Sequence, residues 1–281
     1  MIRTSPTRIQ LSIQDVLAGY DAVSKLYPLI PPMSIWRAWE YAAYQRYTLD
    51  EPVLDVGCGD GRFLKLLWPN LKSVVGIDED PRIAAMARES GVYREVVATS
   101  ADLMEFPLSA FASVFANCSI EHMNNLEIVL SKIQRSLAAG GRFLLSVVTE
   151  KFLEWATLPA IAALIDGSER GLALRRDYQT YHHLVNPLST QQWINCVDEV
   201  GLEVIEYTPI VPVMTSRLFL FLDHLWHVPW HQTEFGDAIH PYLRTIPQFV
   251  DALRKVLDGV LKMERDWSEC SGLVILAKKR S

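Results

Sequence analysis

The chain has 281 residues, of which 49% are apolar and 21% are charged, and this composition excludes collagen, coiled-coil and wholly disordered proteins. The length suits one large domain, or one domain with a substantial insert. There are 27 Lys and Arg residues against 33 Asp and Glu residues, and the resulting formal charge of −6 argues against a dedicated nucleic-acid binder.

The N-terminal segment shows no export signal. The residues before Asp15 lack the apolar run of a secretory signal, although Arg3 and Arg8 among Ser and Thr weakly resemble a transit peptide. No stretch of about 18 apolar residues occurs in the sequence. The 4 cysteines form no CxxC pair, which indicates free thiols in a reducing compartment and no zinc site. We therefore expect a soluble, cytoplasmic protein.

The first half of the chain predicts a helical cover followed by βα units. Residues 1–50 are aromatic-rich with helical spacing, so we predict an N-terminal helical cover there. From Pro52 to Thr149, β-branched runs alternate with helical periods, which indicates a parallel sheet. The predicted strands are Val53–Val56, Ser73–Ile77, Glu95–Ala98, Ser113–Ala116 and Arg142–Thr149. Asp80-Pro81 suits the start of a helix and Gly91 suits its end.

The second half predicts two more strands separated by long connections. Ser189-Thr190 caps a predicted helix that runs to Gly201, and the predicted strands are Leu202–Tyr207 and Gly272–Ala277. We assign residues 51–281 to one domain with inserts at 150–188 and 208–266. Insertions of this length usually shape the site at the carboxyl ends of the strands, so we predict the substrate side there.

The sharpest motif is the turn after the first predicted strand, where Gly57, Gly59 and Gly61 alternate with other residues before a helix begins at about Arg62. Glycines allow a sharp turn close to a ligand, and the helix offers unpaired N–H groups. A tight turn without a ligand and a dinucleotide site are the alternatives. The GxGxG spacing is one residue short of the dinucleotide pattern, and Asp55 would repel a pyrophosphate. A cationic or amino-bearing ligand fits better.

Polar residues follow the next three predicted strands. Asp78 can accept both ribose hydroxyls of an adenosine, or it is a solvated strand end or helix cap. Asp102 can accept a hydrogen bond from an adenine amino group, or it is only a turn residue. Asn117 and Cys118 come just after the fourth strand, where a parallel sheet presents atoms to a ligand.

Together these motifs resemble the class I S-adenosylmethionine-dependent methyltransferases, specifically the small-molecule group. The resemblance covers about residues 50–150 and resumes in Leu188–Tyr207, and Leu54-Asp-Val-Gly-Cys-Gly-Asp-Gly61 matches the family almost letter for letter. It implies a Rossmann-like α/β fold with helices on both faces of a seven-stranded, mostly parallel sheet whose last strand is antiparallel. The family's usual acid after Phe111 and its usual proline before Gly140-Gly141 are absent.

The resemblance also implies S-adenosyl-L-methionine as the cofactor and assigns residues to its parts. Asp78 would hold the ribose, Glu79 is a further cofactor-binding residue, and Asn117 and Cys118 would lie near the sulfonium. The residues implied for the methionine portion are Asp55, Gly57, Cys58, Gly59 and Gly61, and those implied for the adenine are Ala101, Asp102 and Leu103.

Two histidines are candidates for a general base. His122 would lie, by resemblance, close to the methyl end of the cofactor, and the alternative is a helix-start residue held by backbone hydrogen bonds. His183 belongs to the insert at 150–188, and the alternative is a loop histidine bonded to the backbone. We predict methyl transfer to a largely apolar small molecule, at oxygen rather than at nitrogen or carbon. The rivals are a cofactor-binding protein without catalysis and an NAD-dependent oxidoreductase.

The apolar stretch within 208–231 has a separate interpretation. Asp223, His224, His227 and His231 suggest a metal, but Pro229 interrupts the helical spacing, so we predict no metal site. A lid, a homodimer contact or a membrane-surface patch suits this apolar density better.

Overall fold

The computed structural model describes residues 5–280, so Arg3 of the N-terminal segment lies outside the described residues. The strands are β1 (Thr7–Arg8), β2 (Val53–Val56), β3 (Val74–Asp78), β4 (Glu95–Ala98), β5 (Phe111–Asn117), β6 (Leu137–Val148), β7 (Leu202–Pro212), β8 (Pro229–Trp230), β9 (Thr233–Glu234) and β10 (Cys270–Lys279). The α-helices are α1 (Ile13–Val23), α2 (Pro31–Tyr44), α3 (Arg62–Leu67), α4 (Pro81–Glu89), α5 (Leu126–Ser136), α6 (Lys151–Glu154), α7 (Thr157–Ile165), α8 (Ser168–Tyr181), α9 (Thr190–Glu199), α10 (Val213–Trp226), α11 (Phe235–Leu243) and α12 (Phe249–Met263).

The main sheet has the strand order β1-β7-β10-β6-β5-β2-β3-β4. Strands β2 to β6 pair in parallel, whereas β10 is antiparallel to both β6 and β7. This confirms the predicted mostly parallel sheet with an antiparallel last strand. From β2 the chain builds outward through β3 and β4 and then returns to β5 on the other side of β2. The crevice beside this reversal is where open α/β sheets bind ligands.

The sheet has 8 strands, so the predicted number of seven was too low by one. The added strand is β1, which pairs in parallel with β7 through Thr7 opposite Glu206 and Arg8 opposite Tyr207. A strand of 2 residues is too short to show alternation in the sequence. The predicted helical cover over 1–50 therefore also contains a strand.

The strand β7 runs further than predicted and shortens the second connection. Residues 208–212 are buried and pair with β10 up to Pro212 opposite Cys270, and α10 begins at Val213. The residues at the end of β7 do not alternate between apolar and polar, because both faces of the strand are covered there.

Helices cover both faces of the sheet. On one face α2 packs against α1, α10 and β7, and Trp39 and Tyr44 are completely buried there. On the other face Trp193 of α9 is buried and donates its indole N–H to the carbonyl of Val148 at 2.9 Å. The aromatic residues of α2 are thus largely core. Among residues 5–280, no helix combines the length and the apolar character that a bilayer span requires.

Candidate functional site

The turn after β2 requires glycine. Gly57, Gly59 and Gly61 have φ of 73°, 55° and 74°. A Cβ on Gly57 would lie 2.4 Å from the Cβ of Ser119, and one on Gly61 would lie 2.6 Å from the ring of Tyr93. Larger residues are excluded at these two positions both by their neighbours and by the left-handed backbone. The turn opens into α3, as predicted.

Asp78 holds this turn in place from the end of β3. Its Oδ2 accepts the backbone N–H of Gly59 at 3.0 Å, and its Oδ1 accepts the N–H of Asp80 at 3.0 Å. The side chain is half-buried and lines the crevice. Each carboxylate oxygen keeps a further lone pair, so Asp78 can still accept hydrogen bonds from a diol.

The crevice contains a polar cavity of about 380 Å³ above the glycine turn. The predicted cofactor residues that line it are Gly57, Gly59, Asp78, Glu79, Ala101, Asp102, Asn117 and Cys118. The structure therefore brings residues from the ends of β2, β3, β4 and β5 to one place. Their contact with a cofactor stays a prediction.

The other four predicted cofactor residues lie away from this cavity. Asp55 and Cys58 are only 2% and 7% exposed, and a Cβ on Gly76 of β3 would lie 2.9 Å from Cys58 Sγ. Both side chains therefore support the turn from below. Gly61 packs against Tyr93. Leu103 is 73% exposed on the loop after β4.

Asp55 forms a buried pair that the sequence did not reveal. Tyr93, which precedes β4, donates its hydroxyl hydrogen to Asp55 Oδ2 at 2.7 Å. Burial raises the pKa of Asp55, the Tyr93 hydrogen bond lowers it and the charge of Asp78 raises it, and together these effects give a pKa of about 7. Nothing in the local sequence around Tyr93 pointed to this contact.

Asp102 is held at the opposite side of the polar cavity. The Ser100 hydroxyl donates to its Oδ1 at 2.5 Å, and the Asn125 amide donates to its Oδ2 at 2.9 Å. These hydrogen bonds, that from Ser100 first, lower the pKa of Asp102. An ionised carboxylate in a fixed orientation is able to accept a further amino hydrogen.

A second, largely apolar cavity of about 390 Å³ adjoins the first. Three residues line both cavities, namely Arg37, Cys118 and His122. The apolar residues of the second cavity come from the cover, from the end of β6 and from both inserted regions, and they are Ile30, Pro32, Met33, Trp36, Val148, Phe152, Leu184, Phe219 and Trp226. The inserts thus do contribute to a cavity beside the strand ends.

The boundary between the cavities contains a buried ion pair. Arg37 Nη1 donates to Glu40 Oε2 at 2.6 Å, and Glu40 Oε1 accepts from Ser146 at 2.8 Å and from the Cys118 thiol at 2.9 Å. Burial and the nearby Glu40 carboxylate raise the pKa of Cys118. Cys118 is therefore a neutral thiol that donates a hydrogen bond, and it does not act as a thiolate. Sequence reasoning missed Arg37 and Glu40, because an oppositely charged pair spaced by three residues on a helix gives no sign of burial.

Glu121 and His122 lie together on a short 3-10 helix after β5 and both line the apolar cavity. Glu121 is completely buried, and burial, followed by the charge of Glu40, raises its pKa to about 8. His122 Nδ1 lies 3.2 Å from the carbonyl oxygen of His183. Since a carbonyl only accepts, Nδ1 carries the hydrogen and Nε2 keeps its lone pair. Burial lowers the pKa of His122, which favours the neutral ring.

The structure places His183 differently from His122. The His183 side chain lines a separate open depression with Glu79 and His122, and only its carbonyl contacts His122. Its neighbour His182 lines both this depression and the apolar cavity, and its Nε2 lies 3.0 Å from Asp223 Oδ2. A catalytic role for either predicted histidine stays a prediction.

Asp223 of α10 joins the inserted helices. It accepts the Tyr178 hydroxyl of α8 at 2.6 Å, and His227 Nε2 lies 3.5 Å from its Oδ1. Hydrogen bonds from His182 and His227 outweigh burial and lower the pKa of Asp223. Within the part of the chain that the structure describes, no group of three or more His, Cys, Asp or Glu side chains is arranged to hold a metal ion.

Comparison with known proteins identifies a family that part of this chain matches. Residues 54–145 match a family described as "Methyltransferase domain". An uncharacterized methyltransferase of Schizosaccharomyces pombe is 34% identical over 99 residues, which cover 33% of this chain and 38% of that protein. The chain spans between 38% and 53% of the length of the most similar curated relatives reported for it.

Solved structures show the same fold over nearly the whole chain. Phosphoethanolamine N-methyltransferase 2 of Haemonchus contortus, in complex with S-adenosyl-L-methionine, is 18% identical with a TM-score of 0.54, covering 96% of this chain and 60% of that chain. The cyclase SpnF is 16% identical with a TM-score of 0.53, covering 99% of both chains. From β2 to β6 the order of elements, the glycine turn and the matched residues agree, and residues 54–145 therefore form a methyltransferase domain of the matched family.

Proposed function

We propose that this protein transfers a methyl group from S-adenosylmethionine to an apolar small molecule, at oxygen. The observation that carries the proposal is the common boundary of Arg37, Cys118 and His122 between a polar cavity and an apolar one. A methyl transferase must hold a polar nucleotide beside its acceptor and keep water out of the space between them. The two adjoining cavities meet this requirement.

The residues of the polar cavity fit the cofactor. The bare turn leaves open space for a ligand at Gly59, where an added Cβ would meet no described atom within 4 Å. Asp78 would accept the ribose hydroxyls and Asp102 the adenine amino group. Among residues 5–280, Arg37 is the only Lys or Arg that lines this cavity, so it would pair with the cofactor's carboxylate. When bound, S-adenosylmethionine supplies an activated methyl group.

His122 would act as the base for a hydroxyl acceptor. It lines both cavities, its Nδ1 hydrogen is directed to the His183 carbonyl, and its Nε2 keeps a lone pair. A neutral imidazole in this state is able to receive the proton that the hydroxyl loses. This arrangement supports transfer to oxygen.

Calorimetry and a labelled cofactor test the proposal separately. Isothermal titration is expected to show binding of S-adenosylmethionine and S-adenosylhomocysteine, and failure of both to bind would refute it. Incorporation of a labelled methyl group into an extractable small molecule is then expected. Binding without turnover on a broad acceptor panel would instead favour a non-methylating protein, as the cyclase with this fold illustrates. Binding of NADH in place of these ligands would favour an oxidoreductase.

The predicted contact through 208–231 and the cytoplasmic location stay predictions. Phe221, Leu225, Val228 and Trp230 are between 43% and 51% exposed, which supports an apolar contact surface on α10 and β8. Sedimentation velocity with and without lipid vesicles separates a homodimer from membrane-surface binding, and an unchanged monomer in both would exclude the two together.

A further inference from the structure

A network of polar side chains forms part of the wall of the apolar cavity. Asp223 and His227 line this part together with His182, which follows α8. Asp223 accepts the hydroxyl hydrogen of Tyr178 from α8 at 2.6 Å, and His182 Nε2 lies 3.0 Å from the same oxygen. The backbones of α8 and α10 approach each other closely at few points, so these side chains bridge the two helices. The network therefore joins the two inserted regions at the cavity.

His227 lies at the centre of this network, with a carboxylate at each nitrogen of its ring. Its Nδ1 is 2.9 Å from Glu234 Oε2, and its Nε2 is 3.5 Å from Asp223 Oδ1. The Tyr181 hydroxyl donates its hydrogen to Glu234, and its oxygen is 2.6 Å from the same Nδ1. Because all three neighbouring groups present acceptors, both ring nitrogens of His227 carry a hydrogen and the ring is a cation. The residues of this insert network are Tyr178, Tyr181, His182, Asp223, His227 and Glu234.

The charges of the insert network agree with this geometry. Burial lowers the pKa of His227, but its contacts with Asp223 and then with Glu234 outweigh burial and raise this pKa above its ordinary value of about 6.5. Burial raises the pKa of Asp223 and of Glu234, yet hydrogen bonds from the network outweigh it and lower both pKa values. The imidazolium and the two carboxylates therefore occur together from about pH 4 to above about pH 6.5.

Other titratable groups lie near His227 and its partners. They come from α8, α10, α11 and the residue after α8, and they are Tyr178, Tyr181, His182, His224 and Asp237. Burial raises the pKa of both tyrosines and lowers that of His224, so none of these three changes its charge between about pH 6.5 and pH 9. Among the histidines of the network, His182 is therefore the one to be separated from His227 by experiment.

We propose that His227 is a positioning residue that keeps the acceptor cavity closed while its ring is a cation. A neutral ring turns a lone pair toward either Asp223 or Glu234, so one of the two contacts becomes repulsive. The tie between α8, α10 and the hairpin of β8 and β9 then weakens, and the cavity wall loosens. This inference rests on the proposed function in taking the apolar cavity as the acceptor site. The affinity for an apolar acceptor is therefore expected to fall as pH rises.

Hydrogen exchange tests the network in the full chain without an acceptor. Protection factors of the amides in 227–236 are compared between about pH 6 and pH 8.5, since protection factors remove the intrinsic effect of pH on exchange. We expect protection to fall about 3- to 10-fold with a midpoint above about pH 6.5, as for the loss of one hydrogen bond. In Glu234→Gln one carboxylate is lost, so the cation is less favoured and the midpoint is expected to move to lower pH.

Glutamine variants of three histidines identify the titrating residue. His231→Gln is the matched control, because His231 lies in the same hairpin but is exposed, contacts the ring of Trp230, and makes no ion pair with a carboxylate among residues 5–280. This control is expected to leave the midpoint unchanged. His182→Gln keeps an N–H donor for Asp223 and is expected to retain the transition. His227→Gln is expected to abolish the transition and to lower protection at about pH 6.

Acceptor kinetics connect the network to the reaction. With an acceptor found by the labelled-cofactor assay, KM is expected to rise with the same midpoint, whereas kcat is unchanged above about pH 6.5. Constant protection, a midpoint that Glu234→Gln does not move, or loss of the transition in His182→Gln overturns the inference. So does a KM that is independent of pH. Failure of S-adenosylhomocysteine to bind overturns the proposed function instead, and hydrogen exchange still decides the role of His227.

Discussion

At the scale of single residues, the site depends on carboxylates whose environments differ. Asp78 accepts two backbone hydrogen bonds at the cavity wall, whereas Asp55 and Glu121 are buried and have raised pKa values. Burial thus raises the pKa of these two carboxyl groups. Asp78, His122 and Asp55 each give a prediction at this scale.

Asp78→Ala is expected to weaken binding of S-adenosylhomocysteine about 10- to 100-fold, because hydrogen bonds to a charged group contribute about 1.5–3 kcal/mol each. Calorimetry measures the change. The control is Asp80→Ala, since Asp80 caps α4 through the Arg82 N–H at 2.8 Å and does not line the cavity. This control is expected to lower stability slightly, because the helix cap is lost, and to leave affinity unchanged. Equal affinity of Asp78→Ala and the native chain would contradict the ribose assignment.

His122→Gln is expected to lower the methyl-transfer rate about 100-fold or more while affinity for the cofactor is retained. The rate of the native enzyme is expected to fall on acidification only below the ordinary histidine pKa of about 6.5, because burial lowers the pKa of His122. Steady-state rates across pH with an acceptor found by the labelled-cofactor assay measure both effects. His183→Ala is the control, since only the carbonyl of His183 contacts His122. A full rate in His122→Gln would remove His122 from the chemistry.

Asp55 is expected to contribute a loss of stability as pH rises. It has a folded-state pKa of about 7, above its unfolded value, so this carboxyl binds more protons in the folded state between the two pKa values. The contribution of Asp55 to the free energy of unfolding therefore falls from about pH 4 to about pH 7, and the native chain is expected to lose stability relative to Asp55→Asn over this range. Urea denaturation at several pH values measures the slopes. Equal slopes in the two chains would show that Asp55 titrates normally.

At the scale of elements, a strand or helix is predictable from the sequence where its own residues carry a clear pattern. The bounds of β2 and β4 agree with the sequence prediction, because short β-branched runs are interrupted sharply by glycine or polar residues. The capping box at Ser189 likewise begins α9 where the sequence indicated. By contrast, β1 is a strand only because it pairs with β7. Glu40 is likewise held by tertiary contacts, since it accepts hydrogen bonds from Ser146 of β6 and from Cys118, which follows β5. Tertiary contacts of this kind leave no local signature.

The glycine turn offers a matched test at the element scale. Gly57 and Gly91 have the same φ of 73°, but a Cβ on Gly57 meets Ser119 at 2.4 Å and one on Gly91 meets no atom within 4 Å. Gly91→Ala is therefore expected to cost only the backbone penalty of about 1–2 kcal/mol. Gly57→Ala is expected to cost more and to abolish cofactor binding. Thermal unfolding and calorimetry compare the two, and similar losses in both would show that the turn tolerates a side chain.

At the scale of the whole molecule, the long connections complete the site that the central domain only begins. The glycine turn and the strand ends supply the polar cavity, and the sequence predicted most of its residues. The apolar cavity is lined by residues of α2, α6 and α10 and by the residues that follow α8, and these come from three separate parts of the chain. Their mutual packing depends on contacts such as Tyr178 with Asp223, which no spacing in the sequence predicts. The acceptor side was therefore predicted only as a region.

The position of β10 has a consequence for biosynthesis. It lies between β6 and β7, so β7 and β1 join the rest of the sheet only through residues 270–279. A ribosome delivers these residues after the other strands, and until then the edges of β6 and β7 face solvent unpaired. Such edges are templates for aggregation. We therefore expect nascent chains that stall before Cys270 to be clients of chaperones and proteases rather than to accumulate as folded fragments.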